Sequence, residues 1–120
     1  MMRSMTRYKT GDVILIPFPF TDLTAVKQRP AVILSSSQFN QKHGDVIVAA
    51  ITSHLSRKLV DDEYLLDDRE QKSAGLPKAS LIKIGKIVTL DRSLIRKSIG
   101  HIPPNTQKQI LSILSRILRI

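Results

Sequence analysis

The sequence contains no cysteine and no tryptophan, and aromatic residues make up only 4% of its 120 residues. The absence of cysteine excludes a disulfide framework and any thiolate metal site, and it fits a reducing compartment. So few aromatic side chains argue against a stacking platform that binds single-stranded nucleic acid without sequence preference. No apolar run approaches the roughly 20 residues of a membrane-spanning helix, and the first residues lack the apolar segment of a secretory signal. We therefore expect a soluble, cytoplasmic protein with no membrane partner.

The charge of the chain is strongly uneven. Basic residues outnumber acidic ones by 19 to 10, which gives a net charge of +9. Six of the ten acids lie in residues 61–70, which we call the acidic window, so the other 110 residues carry 18 basic and 4 acidic residues. So basic a surface attracts polyanions, because contacts with phosphates release condensed counterions. The charge therefore favours a nucleic-acid partner, with solubility alone as the alternative.

The length and the apolar pattern predict one small β domain. Residues 1–120 are enough for a single core, and we expect residues 1–8 to be a flexible N-terminus. Short apolar segments rich in β-branched residues indicate strands, and from Pro104 the i, i+3, i+4, i+7 spacing indicates an amphipathic helix. The fold class is therefore mainly β with a C-terminal helix, as a small curled sheet or half-open barrel. The predicted elements are strands at 13–18, 31–34, 46–51, 64–66 and 99–102, a bent pair of strands at 80–90, turns at 35–44 and 74–77, and a helical turn at 91–94.

The most informative segment is residues 11–36, which holds two apolar strands joined by a polar loop. The loop delivers Lys27 and Arg29 to the base of the second strand. A guanidinium held against a rigid sheet can bind two phosphate oxygens at once. The arrangement therefore predicts an anion site, with a structural arginine paired to Asp12 or Asp22 as the alternative.

Three short motifs follow one another along the chain. The first runs from residues 11–13 (GDV) to 29–34 (RPAVIL), the second is 49–53 (AAITS), and the third runs from 75–80 (GLPKAS) to 89–91 (TLD). In this order they resemble the MazF/PemK family, the toxins of type II toxin-antitoxin systems. The resemblance implies an SH3-like barrel of the MazF/CcdB kind, a homodimer and a cognate antitoxin protein. It also implies metal-independent, sequence-selective cleavage of single-stranded RNA without a cofactor.

The same resemblance implies roles for individual residues. Arg29 stands at the position of the catalytic arginine, Thr52 at that of the threonine or serine that works with it, and Lys83 where some members carry a second arginine. Gly85 departs from the pattern, since members of the better-known branch carry an acidic residue near this position. The loop departs too, with Lys27 in place of an acidic residue that some members have. A proton-transfer role for a carboxylate at position 85 therefore cannot be transferred to this chain.

The chemistry of RNA cleavage supports part of this assignment. RNA supplies its own nucleophile, the 2′-hydroxyl, so the enzyme must align it, neutralise charge on the phosphorane and move two protons. Arg29 suits neutralisation, but a guanidinium stays protonated and moves protons poorly. Thr52 can donate a hydrogen bond to a phosphate oxygen or orient the arginine. His54 should share a strand face with Thr52, and an imidazole is the usual proton-transfer group.

Each of these residues has a plainer interpretation. Thr52 can simply fill a strand, and His54 can begin a solvated loop. Lys27, Ser53, Lys83 and Lys86 are the residues that we expect to contact RNA, although the last two can equally form a solvated charged edge. The other two histidines, His43 and His101, are expected to be ordinary surface residues, and the three histidines form no zinc motif.

Two rival functions remain open at this stage. The carboxylates of the acidic window could hold a metal pair and make a metal-dependent nuclease, but no other carboxylate cluster exists to complete such a site, so we predict no metal. The second rival is a non-catalytic toxin or an RNA- or protein-binding module on the same fold, such as a gyrase poison like CcdB or a degenerate family member. The missing acid at Gly85 favours this rival, and Arg29 and Thr52 argue against it.

Overall fold

The computed structural model describes residues 7–17, 27–55 and 58–120, and all structural statements concern these residues. Their strands form one antiparallel sheet in the order β4-β5-β3-β2-β1-β6. The predicted mainly β fold with a C-terminal helix is confirmed. Most of the predicted flexible N-terminus and of the loop before Lys27 lies outside the described residues. The elements are β1 (Asp12–Pro17), β2 (Gln28–Ile33), α1 (Ser37–His43), β3 (Asp45–Thr52), β4 (Glu63–Leu65), α2 (Asp68–Ser73), β5 (Leu81–Asp91), a 3-10 helix (Arg92–Leu94), β6 (Lys97–His101) and α3 (Pro104–Leu118).

The core has two layers because the central strands are apolar on both faces. On one face, α3 packs its buried Ile110 against strand residues such as Val32 and Ile82. The other face holds a second cluster around Ile14 and Ile33. Each fully buried isoleucine contributes roughly 2 kcal/mol of transfer free energy, so these two clusters fix the position of the strand ends. The helix predicted from Pro104 is confirmed, and it packs on its own sheet.

Two short helices, α1 and α2, were not predicted, and the turn expected over residues 35–44 is mostly α1. Neither helix is long enough to show an apolar stripe, but each carries an end signal. Ser36 caps α1 by accepting a hydrogen bond from the Phe39 N–H, and Gly44 ends it at a φ of 69°. Asp67 and Glu70 form a reciprocal capping box at α2. Both are sequence signals of helix ends.

The prediction of two bent strands around Gly85 is wrong, because β5 is one strand of eleven residues. It pairs with β3 on both sides of a register shift: Ala49 lies opposite Ile87, and Ala50 lies opposite Lys83. Residues 84–86 therefore bulge out of the ladder. The glycine belongs to this bulge, which is a common role of glycine in a strand.

His101 is not the ordinary surface residue that the sequence suggested. Its Nδ1 lies 2.9 Å from Asp12 Oδ1, and its Nε2 lies 3.2 Å from the side-chain nitrogen of Gln107. The ring thereby links β1, β6 and α3. His43, as predicted, is exposed, although its ring lies 4.6 Å from that of Phe39.

Candidate active site

Arg29 and Thr52 are brought together by the pairing of β2 with β3. Ala31 lies opposite Ala50 in this antiparallel ladder. Continuing the same register toward the sheet edge places Arg29 opposite Thr52, on the same face of the sheet. Both strands are anchored by buried residues immediately behind this point, including Ala31 and Ile51. The guanidinium and the hydroxyl therefore stand on a rigid base.

A basic cleft of about 280 Å³ opens over this pair. Three further residues predicted from the sequence line it, namely His54, Lys83 and Lys86. Among the described residues that line the cleft, three are thus Lys or Arg and none is Asp or Glu. Such a site attracts a phosphate group. The lining residues are Arg29, Ala50, Ile51, Thr52, His54, Lys83 and Lys86.

A second, apolar cleft of about 420 Å³ adjoins the first, and Arg29, Ile51 and Thr52 line both. Sequence reasoning missed it, although the 75–80 motif that forms one wall was noted for its resemblance. Ser53 lines this cleft, whereas the exposed Lys27 lines neither cleft. Its lining residues are Leu15, Gln28, Arg29, Pro30, Ile51, Thr52, Ser53, Gly75, Leu76, Pro77, Lys78, Ser80 and Ile99.

The end of β3 divides its residues between the two clefts. The strand stops at Thr52, where the backbone N–H of His54 donates a hydrogen bond of 3.0 Å to the Thr52 hydroxyl oxygen. This turn, rather than a continuing strand, brings His54 beside Thr52 in the basic cleft and Ser53 into the apolar cleft. Side-chain bonds of this kind commonly replace a ladder at strand ends.

Lys83 enters the basic cleft with a partner. Its ammonium lies 3.5 Å from Glu63 Oε2, and its side chain is 45% exposed, whereas that of Glu63 is 8% exposed. Lys83 and Glu63 lie directly opposite each other in the β4–β5 ladder. Sequence analysis assigned no role to Glu63 beyond its membership of the acidic window. The cross-strand register, which sequence periodicity does not reveal, makes it the neighbour of a cleft lysine.

No ion pair of Arg29 exists among the described residues. The carboxylate of Asp12 contacts Lys9 and His101 instead, and Asp22 lies outside the described residues. The interpretation of Arg29 as a partner of Asp12 is therefore wrong. The guanidinium is exposed on the cleft wall, where it can meet an anion from solvent.

The acidic window has structural contacts of its own. Within residues 7–17, 27–55 and 58–120, no group of three or more His, Asp or Glu side chains is placed to hold a metal ion. Glu70 accepts hydrogen bonds from Tyr64 and Thr106. Burial, together with the bond between Tyr64 and Glu70, raises the pKa of Tyr64 to about 12.

Among the helices that the structure describes, none has the length and apolar character needed to span a membrane.

The sequence of almost the whole chain matches a known protein family. Residues 9–118 match the model of the PemK-like, MazF-like toxins of type II toxin-antitoxin systems. The chain belongs to this family. The family resemblance inferred from the three sequence motifs is confirmed.

Known MazF proteins resemble this chain in sequence and in fold. Endoribonuclease MazF2 of Mycobacterium bovis is 26% identical over 93 residues, which cover 77% of this chain and 79% of the relative. A mycobacterial endoribonuclease solved in complex with its cognate antitoxin superimposes with a TM-score of 0.74 at 18% identity, over 93% of this chain and 95% of the other. The MazE–MazF structure from Deinococcus radiodurans gives 0.73 at 19% identity, over 94% and 96%. The predicted MazF-like fold is thereby confirmed.

Proposed function

We propose that this MazF-like chain is the toxin of a type II toxin-antitoxin system and a metal-independent endoribonuclease that cleaves single-stranded RNA by attack of the 2′-hydroxyl. The observation that carries the proposal is the basic cleft, in which Arg29, Thr52, His54 and two lysines meet at the end of the sheet. Family membership and relatives named as endoribonucleases support it.

The scissile phosphate binds at the junction of the two clefts, against Arg29 and Thr52. The planar guanidinium takes two non-bridging oxygens and neutralises the charge that grows on the phosphorane. The Thr52 hydroxyl donates a further hydrogen bond, because its oxygen already accepts from His54 and its proton is left for the substrate. Preorganised donors of this kind are worth about 3 kcal/mol each in the transition state.

His54 is the proton-transfer group of this scheme. It lines the same cleft as Arg29, its side chain is exposed, and its backbone is tied to Thr52. A neutral imidazole takes the proton of the 2′-hydroxyl, and an imidazolium returns one to the leaving 5′-oxygen. Lys83 and Lys86 provide positive charge around the reacting phosphate, so the scheme needs no metal ion for charge neutralisation.

The apolar cleft receives a nucleobase next to the scissile phosphate and is the source of sequence selectivity. Its walls include Leu76 and Pro77, which can pack on a base, while Gln28 and Ser53 offer hydrogen-bonding groups for its edges. Unstacked bases of single-stranded RNA are recognised by such edge contacts. Lys27, an exposed residue immediately before β2, contacts the backbone of the RNA outside the clefts.

The partners follow from the same proposal. Relatives of this fold have been solved with a cognate antitoxin and as a MazE–MazF pair. We extend this to a cognate antitoxin for this chain, and to a homodimer as its working form. The substrate places the protein in the cytoplasm, where single-stranded RNA is present.

The test is incubation of the purified protein with a long single-stranded RNA in the presence of EDTA. The wild type should give discrete cuts, and Arg29→Ala should give none while keeping the wild-type melting temperature, because Arg29 is exposed. Arg69→Ala is the matched control, because Arg69 is an exposed arginine that lines neither cleft. Full cleavage by Arg29→Ala would contradict the proposal. Salt-sensitive RNA binding without cuts by the wild type would instead favour a non-catalytic member of the family.

A further inference from the structure

We propose that Glu63 is a positioning residue of the basic cleft, which acts by holding the ammonium of Lys83 in place. This inference rests on the proposed ribonuclease function. It gives a part of the acidic window a role in the reaction. Two other members of the window, Asp67 and Glu70, make structural contacts at α2.

The Glu63 carboxylate is fixed at both oxygens. Oε1 accepts a hydrogen bond of 3.3 Å from the Val60 N–H, and Oε2 lies 3.5 Å from Lys83 Nζ. Its side chain is almost completely buried, so the carboxylate is not free to follow a mobile lysine. A buried carboxylate without a counter-charge is costly. The fixed Glu63 carboxylate therefore keeps the Lys83 ammonium beside it.

The register of the sheet places the Glu63–Lys83 pair beside Arg29 and Thr52. Glu63 lies opposite Lys83, and Lys83 lies opposite Ala50 on the far side of β5. These three residues form one row on a single sheet face, and Ala50 is itself part of the cleft wall. The next residue of β3 on that face is Thr52, so the row lies beside the Arg29–Thr52 pair.

A backbone hydrogen bond holds the start of β4 close to the bulge around Gly85. The backbone N–H of Ile84 donates a hydrogen bond of 3.0 Å to the Asp62 carbonyl oxygen. A Cβ at position 85 would lie 2.8 Å from Asp62 Oδ2, which is closer than real Cβ contacts. That oxygen is the end of a flexible side chain, which can turn away without moving the Asp62 backbone. The Ile84–Asp62 backbone bond therefore fixes the start of β4 beside the bulge and brings the Glu63 carboxylate to Lys83.

Lys83 needs a fixed partner because its side chain is flexible. A lysine has a flexible four-carbon stem and a point charge, so an unheld ammonium samples many positions around a phosphate. Fixing it beside the cleft lowers the entropy lost when the transition state forms. Loss of Glu63 should therefore lower turnover, while the extra positive charge should leave RNA affinity unchanged or higher.

The experiment compares kcat and KM on a short RNA that contains a site mapped with the wild type. Glu63→Gln should reduce kcat about fivefold, the effect of losing about 1 kcal/mol from a partly exposed ion pair, without raising KM. Asp61→Asn is the matched control, because it removes the same charge from an exposed neighbour that lines neither cleft. The control should keep the wild-type kcat.

A double-mutant cycle separates positioning from simple stabilisation. If Glu63 acts through Lys83, Glu63→Gln should cause no further loss of kcat in a Lys83→Met background. Melting temperatures are measured first, and all assays are run well below the lowest of them. Equal kcat values for Glu63→Gln and Asp61→Asn, or additive losses in the cycle, would overturn the inference alone. A wild type that does not cleave RNA would overturn the proposed function as well.

Discussion

The backbone N–H of His54 donates a hydrogen bond of 3.0 Å to the hydroxyl oxygen of Thr52. This bond ends β3 and turns the chain so that His54 lines the same cleft as Thr52, while Ser53 between them lines the other. The hydroxyl oxygen acts as the acceptor in this bond, so its own proton is available to a different partner. In the proposed reaction that partner is a phosphate oxygen.

Thr52→Val should therefore lower kcat for RNA cleavage by about 100-fold, the usual loss for one transition-state donor. It also removes the acceptor of the His54 N–H, so the turn that presents the imidazole loosens. Thr52→Ser keeps the hydroxyl and should keep most of the activity. The control is Thr89→Val, an exposed threonine of β5 that lines neither cleft. A wild-type kcat in Thr52→Val would show that Thr52 has only a structural role in β3.

Several residues of the basic cleft could be predicted from the sequence because they lie close to strand ends. Arg29 was indicated by its place before an apolar strand and by the family resemblance, Thr52 by the resemblance, and His54 by its alternation with Thr52 along a strand. The clefts bring these residues together, although their chemical roles stay predictions until they are tested. The terminal helix was equally accessible, since Ile110 belongs to a sustained 3.6-residue pattern.

Features that depend on pairing between distant segments could not be read in the same way. Glu63 and Lys83 are twenty positions apart, and only the β4–β5 register makes them neighbours. The bulge around Gly85 depends on how β5 slips against β3, which no local pattern encodes. His101 looked like a surface residue because its partners, Asp12 and Gln107, come from the first strand and the last helix.

Tyr64→Phe should destabilise the fold and flatten its response to alkaline pH. The Tyr64 hydroxyl donates a hydrogen bond of 2.6 Å to Glu70 Oε2, and burial with this bond raises its pKa from 10.0 to about 12. A raised folded-state pKa gives stability that is complete below pH 10 and is lost as the pH rises toward about 12. The substitution should cost about 1 kcal/mol at pH 7.

Urea unfolding at pH 7 and at several values between pH 10 and 12 measures this effect. The other tyrosine of the sequence provides the control, Tyr8→Phe, because Tyr8 contributes a backbone carbonyl and ring packing in the second core cluster. It should retain the wild-type loss of stability above pH 10. An equally steep loss in Tyr64→Phe would show that the Tyr64–Glu70 bond does not carry the alkaline response.

Gly75→Ala should damage both stability and substrate binding, because Gly75 lies in the wall of the apolar cleft. Its φ is +73°, and a Cβ there would lie 1.9 Å from the Ile99 carbonyl oxygen of β6. Gly44 has a similar φ of +69° but nothing within 4 Å of its Cβ position, so Gly44→Ala carries the backbone strain alone. That strain costs roughly 1–2 kcal/mol.

In urea unfolding, Gly75→Ala should lose more free energy of unfolding than Gly44→Ala. Of the two variants, Gly75→Ala alone should raise KM for RNA, since the displaced wall no longer fits a base. Equal unfolding energies and equal KM values in the two variants would show that close packing of Gly75 on β6 does not shape the cleft.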